Sequence, residues 1–145
     1  SPSPSPSPSP SPGPCGDGGF ALNDTSIRTA VAAWFDSNTA AIDSFGEIDT
    51  WCTVGVTDMS ELFKGRGSFD DDIGDWTTSA VTDMTAMFNN AQVFNQDMGD
   101  WDVAAVTDMT WMFSGATDFN QDIGQWDTDR VTRMNNMFEG AEAFN

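Results

Sequence analysis

The sequence predicts an α/β solenoid: a right-handed stack of 25-residue coils, each made of a short parallel strand and a short helix, with an N-terminal helical cap and a polyproline II tail. Three observations predict it. The stretch from Phe94 to Phe113 recurs, lightly varied, 25 residues earlier and 25 residues later, and a fixed period of this size marks an architecture with one coil per repeat. Ile27, Ala30, Val31, Trp34 and Phe35 follow helical spacing just upstream of the repeats. All seven prolines of the 145-residue chain lie in residues 1–14. The predicted domains are a stalk at 1–14, a helical cap at 15–46 and about four coils at 47–145, with the start of a fifth.

The tail alternates serine and proline: Ser1, Pro2, Ser3, Pro4, Ser5, Pro6, Ser7, Pro8, Ser9, Pro10, Ser11 and Pro12, then Gly13 and Pro14. Proline fixes φ near −65° and pushes the preceding residue out of the α region, so the segment is expected to be polyproline II. Its twelve Ser-Pro residues would then span roughly 37 Å. A plain spacer is one reading of such a rod. A glycosylated stalk, with Ser1 to Pro12 as the modified residues, is the reading preferred here.

Cys15 and Cys52 are the two cysteines, and there is no histidine. Two cysteines cannot build a structural zinc site. A Cys15–Cys52 disulfide is the preferred reading over two buried thiols, and closing nearly 40 residues would contribute about 4 kcal/mol. Residues 15–19 read as a hinge. The cap helix is expected to start at Asp24 or Thr25 and to stop at 36–38. A second helical turn is expected from Thr39 to about Phe45, with Gly46 in the left-handed closing position. The apolar face of the first helix is expected to lie on the first coil, because a solenoid end needs a cap.

In the repeats, each column of equivalent residues is expected to form one buried ladder. Trp51, Trp76, Trp101 and Trp126 make the first, and Val56, Val81, Val106 and Val131 the second. Met59, Met84, Met109 and Met134 follow, then Leu62, Met87, Met112 and Met137. Phe63, Phe88, Phe113 and Phe138, then Phe69, Phe94, Phe119 and Phe144, supply two aromatic ladders, and Ile48, Ile73, Met98 and Ile123 the last. Asp72 to Trp76 is expected to be a strand. Met84, Met87 and Phe88, at i, i+3 and i+4, are expected to close a short helix. One strand and one helix per coil is the leucine-rich-repeat plan.

The acids are periodic as well. Asp72, Asp97 and Asp122 form one column and Asp58, Asp83 and Asp108 another. Stacked carboxylates ~5 Å apart repel by about 0.8 kcal/mol in bulk water, so each needs a partner. Backbone N–H groups in the turns are the first candidate, and a calcium ion at Asp72, Asp97 and Asp122 is the alternative; no other cofactor is expected. Asn95, Asn120 and Asn145 are expected to be buried and to bond the turn of the next coil. The single threonine column, Thr57, Thr82, Thr107 and Thr132, is too narrow for an ice-binding face.

The unit F-N-Q-D-[IM]-G-x-W-x-x-x-x-V-T-D-M-x-x-M-F-x-x-A resembles the BspA-like leucine-rich-repeat surface proteins, above all the 25-residue subtype of mycoplasma lipoproteins and of protists and algae. The resemblance covers about residues 44–145. It departs at Ser44, Val54-Gly55 and Lys64-Gly-Arg66 in the first coil, and at Arg130 and Arg133 in the fourth. The Ser-Pro tail resembles hydroxyproline-rich glycoproteins of cell walls and extracellular matrix. Together these resemblances imply an extracellular or cell-surface repeat scaffold with O-linked glycans on its tail and no catalytic residues to carry over.

The charge bounds the partners. Acidic residues outnumber basic ones 23 to 5, for a net charge of −18. Such a surface repels phosphate backbones and anionic membranes, so no nucleic acid is expected, and no apolar run is long enough for a membrane span. The chain lacks an initial Met and a signal peptide, which reads as a mature or partial chain. It stops as a fifth coil begins, so self-association or neighbouring repeats are expected to cover that end. The predicted function is a non-enzymatic structural or adhesive extracellular module in a glycosylated appendage, fibre or matrix. A recognition module that binds a basic partner through an acidic solenoid face is the alternative. Enzymatic work is not expected without histidine, a cysteine nucleophile setting or a phosphate loop.

Overall fold

The computed structural model describes residues 15, 16 and 20–145. The predicted polyproline II tail and the glycosylation positions Ser1 to Pro12 lie outside them, as do residues 17–19 of the predicted hinge.

The first part of the described chain is a small β-α-α-β unit. Strand β1 (Ala21–Asn23) leads into helix α1 (Asp24–Asp36). Asn23, not Asp24 or Thr25, is the N-cap: its Oδ1 accepts from Thr25 N at 3.0 Å and Ser26 N at 2.8 Å, while Ser26 Oγ accepts from Asn23 N. This reciprocal pair is a capping box. It leaves the Asp24 carboxylate free for another task. Ser37 ends α1 and caps α2 (Asn38–Phe45) through a hydroxyl that accepts from Ala40 N. Gly46 follows at φ 80° and ψ −178°, so it has the positive φ that glycine tolerates without being in the left-handed helical well. A 3₁₀ turn (Ile48–Thr50) then delivers β2 (Cys52–Gly55), which pairs parallel with β1, Ala21 opposite Cys52.

The buried face of α1 (Ile27, Ala30, Val31 and Trp34) meets the residues that follow β2. Trp34 crosses Trp51 edge-on at 5.9 Å, and its indole donates to Asp71 at 3.0 Å. Phe35 meets Phe69 edge-on at 5.7 Å, and the Arg66 guanidinium lies over the Phe35 ring, 4.2 Å from its centroid.

The predicted α/β solenoid is overturned. The described residues hold two α-helices, one 3₁₀ turn and one open two-stranded sheet, all before Val56; residues 56–145 contain neither strand nor helix. Asp72 to Trp76 is a turn, because Asp72 Oδ1 accepts from Gly74 N at 2.9 Å and Trp76 N donates to Ile73 O. A side chain that bonds its own backbone two residues on competes with strand pairing. Met84 to Phe88 is not helical either. Met84, Ala86 and Phe88 donate instead to Asp108, Thr110 and Met112 of the following repeat, at 3.0, 2.8 and 2.8 Å. Met87 and Asn89 donate three residues back. That alternation requires a positive φ in each repeat, at Glu61 (57°), Ala86 (52°), Trp111 (56°) and Asn136 (56°), which no α-helix or strand accommodates. Extended pairing shrinks to single parallel bridges, Asp58 to Asp83, Asp83 to Asp108 and Asp108 to Arg133.

The core runs continuously from the β-α-α-β unit into these turns. Phe63, Phe88, Phe113 and Phe138 face one another at 5.6, 5.5 and 5.6 Å between centroids. Phe69, Phe94, Phe119 and Phe144 lie beside them, each about 4 Å from its neighbour in the same repeat.

Candidate functional site

Cys15 and Cys52 form a disulfide, with Cα atoms 5.2 Å apart. It joins a residue upstream of the β-α-α-β unit to the first residue of β2. The loop it closes contains α1 and α2.

The carboxylates are placed individually. Asp72, Asp97 and Asp122 are exposed, and each spends Oδ1 on the N–H of its own glycine, Gly74, Gly99 or Gly124, at 2.9 Å. Asp72, Gly74, Asp75, Asp97 and Asp100 line a surface depression of about 150 Å³. Among the described residues no group of three or more acids or cysteines has a geometry that could hold a metal ion. In the second acidic column, Asp58, Asp83 and Asp108 accept from the N–H two residues on, Ser60, Thr85 and Thr110, at 2.8 to 2.9 Å. Burial by itself would raise the Asp108 carboxyl, but hydrogen bonds from Thr110 and Thr85 and the charge of Arg133 outweigh it and hold it low. Asp24 completes the column from α1. It accepts from Thr57 N at 2.6 Å, Thr57 Oγ1 at 2.7 Å and Asp58 N at 3.1 Å, and these bonds, Thr57 N first, lower its carboxyl.

Residues 29–145 match the family described as Mycoplasma protein of unknown function, DUF285. The chain belongs to the DUF285 family. No curated protein and no solved structure matches it.

The columns of this DUF285 chain take different places. Trp51, Trp76 and Trp101 are buried, and each indole donates to a main-chain carbonyl: Gly46, Ile48 and Ile73, at 3.0, 2.8 and 3.1 Å. Trp126 donates to Met98 O and is half-buried. Met59, Met84 and Met109 are buried, whereas Met134 is 43 % exposed. Asn95, Asn120 and Asn145 are exposed, not buried. The Asn95 and Asn120 side chains accept from the N–H of Asn120 and Asn145, and Asp70 does the same for Asn95. Thr82, Thr107 and Thr132 each donate a hydroxyl hydrogen to the carbonyl of the preceding threonine in the column.

Sequence reasoning missed Trp111. It stands where the other repeats carry Glu61, Ala86 and Asn136, and it is 47 % exposed. No residue recurs at this position of the repeat, so periodicity carries no signal for it; the only mark in the sequence is a large aromatic among small or polar equivalents.

Proposed function

We propose that the chain is a non-enzymatic structural or adhesive element of an extracellular surface, related in role to the BspA-like surface proteins that its repeat unit resembles. The observation that carries this reading is the Cys15–Cys52 disulfide, since such bonds persist in oxidising compartments. It ties the Ser-Pro end to the folded body, the arrangement a stalk requires. The carboxylates support a scaffold role, because equivalent acids sit in equivalent turns, whereas acid–base chemistry needs two acids in different environments. O-linked glycans on residues 1–12 and association with further repeats belong to the same proposal. Among the described residues no helix is long and apolar enough to cross a membrane.

Mass spectrometry of residues 1–14 from the natural source tests it: hydroxyproline and sugar increments are expected, and serine and proline unmodified throughout would sink the glycosylated-stalk reading. A second reading, recognition of a basic partner, is favoured by the depression that Asp72, Asp75, Asp97 and Asp100 line. Capture of a basic protein that is lost on raising salt would select it, and ordered filaments in electron micrographs would select the first.

A further inference from the structure

Five of the six tryptophans place the indole N–H on an acceptor: Trp34 on Asp71 and the other four on main-chain carbonyls. Trp111 has no such bond among the described residues, and it projects from a positive-φ position, which a bulky residue adopts only at a cost. The equivalent positions Glu61, Ala86 and Asn136 share that φ, so the backbone conformation belongs to the repeat, and what sets Trp111 apart is a large aromatic ring left 47 % exposed. It borders a shallow depression of about 520 Å³ that spans successive repeats, within the range of small-ligand sites. Gly115 and Gly140, at φ 73° and 72°, contribute backbone free of side chains. Ser114, Asn136 and Glu139 contribute side chains that have no partner among the described residues.

We propose that this depression binds a neutral saccharide, with a pyranose face on the Trp111 indole. The lining combines a flat apolar ring with groups that donate, accept or do both, which is what a ring of C–H bonds edged by hydroxyls requires. Charge selects the ligand class. On a chain of net charge −18 this depression carries one cation and one acid, Lys64 and Glu139, and Lys64 is already 3.1 Å from Glu61. With one charge of each sign, the depression has no net charge of its own to select a strongly basic or acidic ligand. The inference deepens the adhesive reading and rests on it.

The test is a titration of protein labelled with ¹⁵N in its indoles, followed by NMR, with cellohexaose, xylohexaose and mannohexaose as separate probes at millimolar concentration. Trp111→Asn identifies the Trp111 signal and removes the ring. Asparagine already occupies the equivalent position, Asn136, at φ 56°, so this variant is expected to fold with an unchanged or higher Tm. At least one probe should shift the Trp111 signal and leave the other five in place. Trp111→Asn should weaken that probe's binding about tenfold, and Asn136→Ala with Glu139→Gln should weaken it as well. The proposal is overturned if no probe shifts the signal, if oligolysine alone shifts it, if raising protein concentration alone shifts it because a second copy covers the ring, or if Trp111→Asn lowers Tm. Mass spectrometry of the Ser-Pro segment still decides the surface reading independently, so the two fail separately.

Discussion

Asp24 shows how one side chain can register two segments that are far apart in sequence. Because Asn23 takes the capping role, the Asp24 carboxylate is free to accept three hydrogen bonds from Thr57 and Asp58. Asp24→Ala is therefore expected to cost about 1.5–3 kcal/mol, the range for hydrogen bonds to a charged group, measured by urea unfolding. Its folded pKa is lowered, so its contribution is fully present above the unfolded carboxyl value of about 3.9 and is lost as pH falls through the folded value. The Tm gap between the native chain and Asp24→Ala should stay constant from neutral pH down to about 5 and narrow below about 4. Asp108 acts with the same sign. Neither acid could be told from its neighbours in the sequence, because the distinction lies in which main-chain N–H groups reach it. Trp111 was hidden for a related reason: its position holds a different residue in every repeat, so periodicity says nothing about it, and its exposure is a property of the folded chain.

At the scale of the element, each repeat is made of turns held from both sides. The 25-residue period was legible, and so was the apolar face of α1, because both are patterns of side-chain identity. The strand and helix assigned to each repeat were not correct, because identity did not reveal the backbone. Glu61, Ala86 and Trp111 are not residues that announce a positive φ, yet hydrogen bonds to the next repeat impose one on each. The glycines of the adjoining column, Gly65, Gly115 and Gly140, carried the hint that these segments leave the ordinary helical range. Gly74 marks another such place. A Cβ there would come within 2.8 Å of Asp97 O, a main-chain atom that cannot swing aside. Gly74→Ala should cost about 1–3 kcal/mol by the usual measure of overpacking, read as a lowered urea midpoint with an unchanged slope. Gly124→Ala meets only the tip of the Asp122 side chain, at 3.1 Å, and should cost less.

Across the whole molecule, a net charge of −18 works against compaction. Salt screens that repulsion over a Debye length of about 10 Å at 0.1 M, so Tm should rise with sodium chloride. If a bound divalent cation carried that relief instead, a chelator would undo it. Asp72, Asp97 and Asp122 have each committed an oxygen to a turn N–H, and the expected outcome is that EDTA at low salt leaves Tm unchanged. A fall in Tm with EDTA, reversed by calcium, would show a cation where the turn hydrogen bonds now suffice.

The link between Cys15 and Cys52 also governs how the molecule responds to being pulled. Tension applied through the Ser-Pro end enters at Cys15 and crosses directly to Cys52, so α1 and α2 are by-passed and feel none of it. The repeats beyond β2 then meet the force first, and the helices stay out of its path even once their packing partners give way. Stretched in an optical trap, the oxidised chain should lengthen less than the reduced one by about 130 Å, the extended reach of the 37 residues held out of the path. In the surface role proposed above, a link that moves the point of stress away from its own joint would suit exposure to shear.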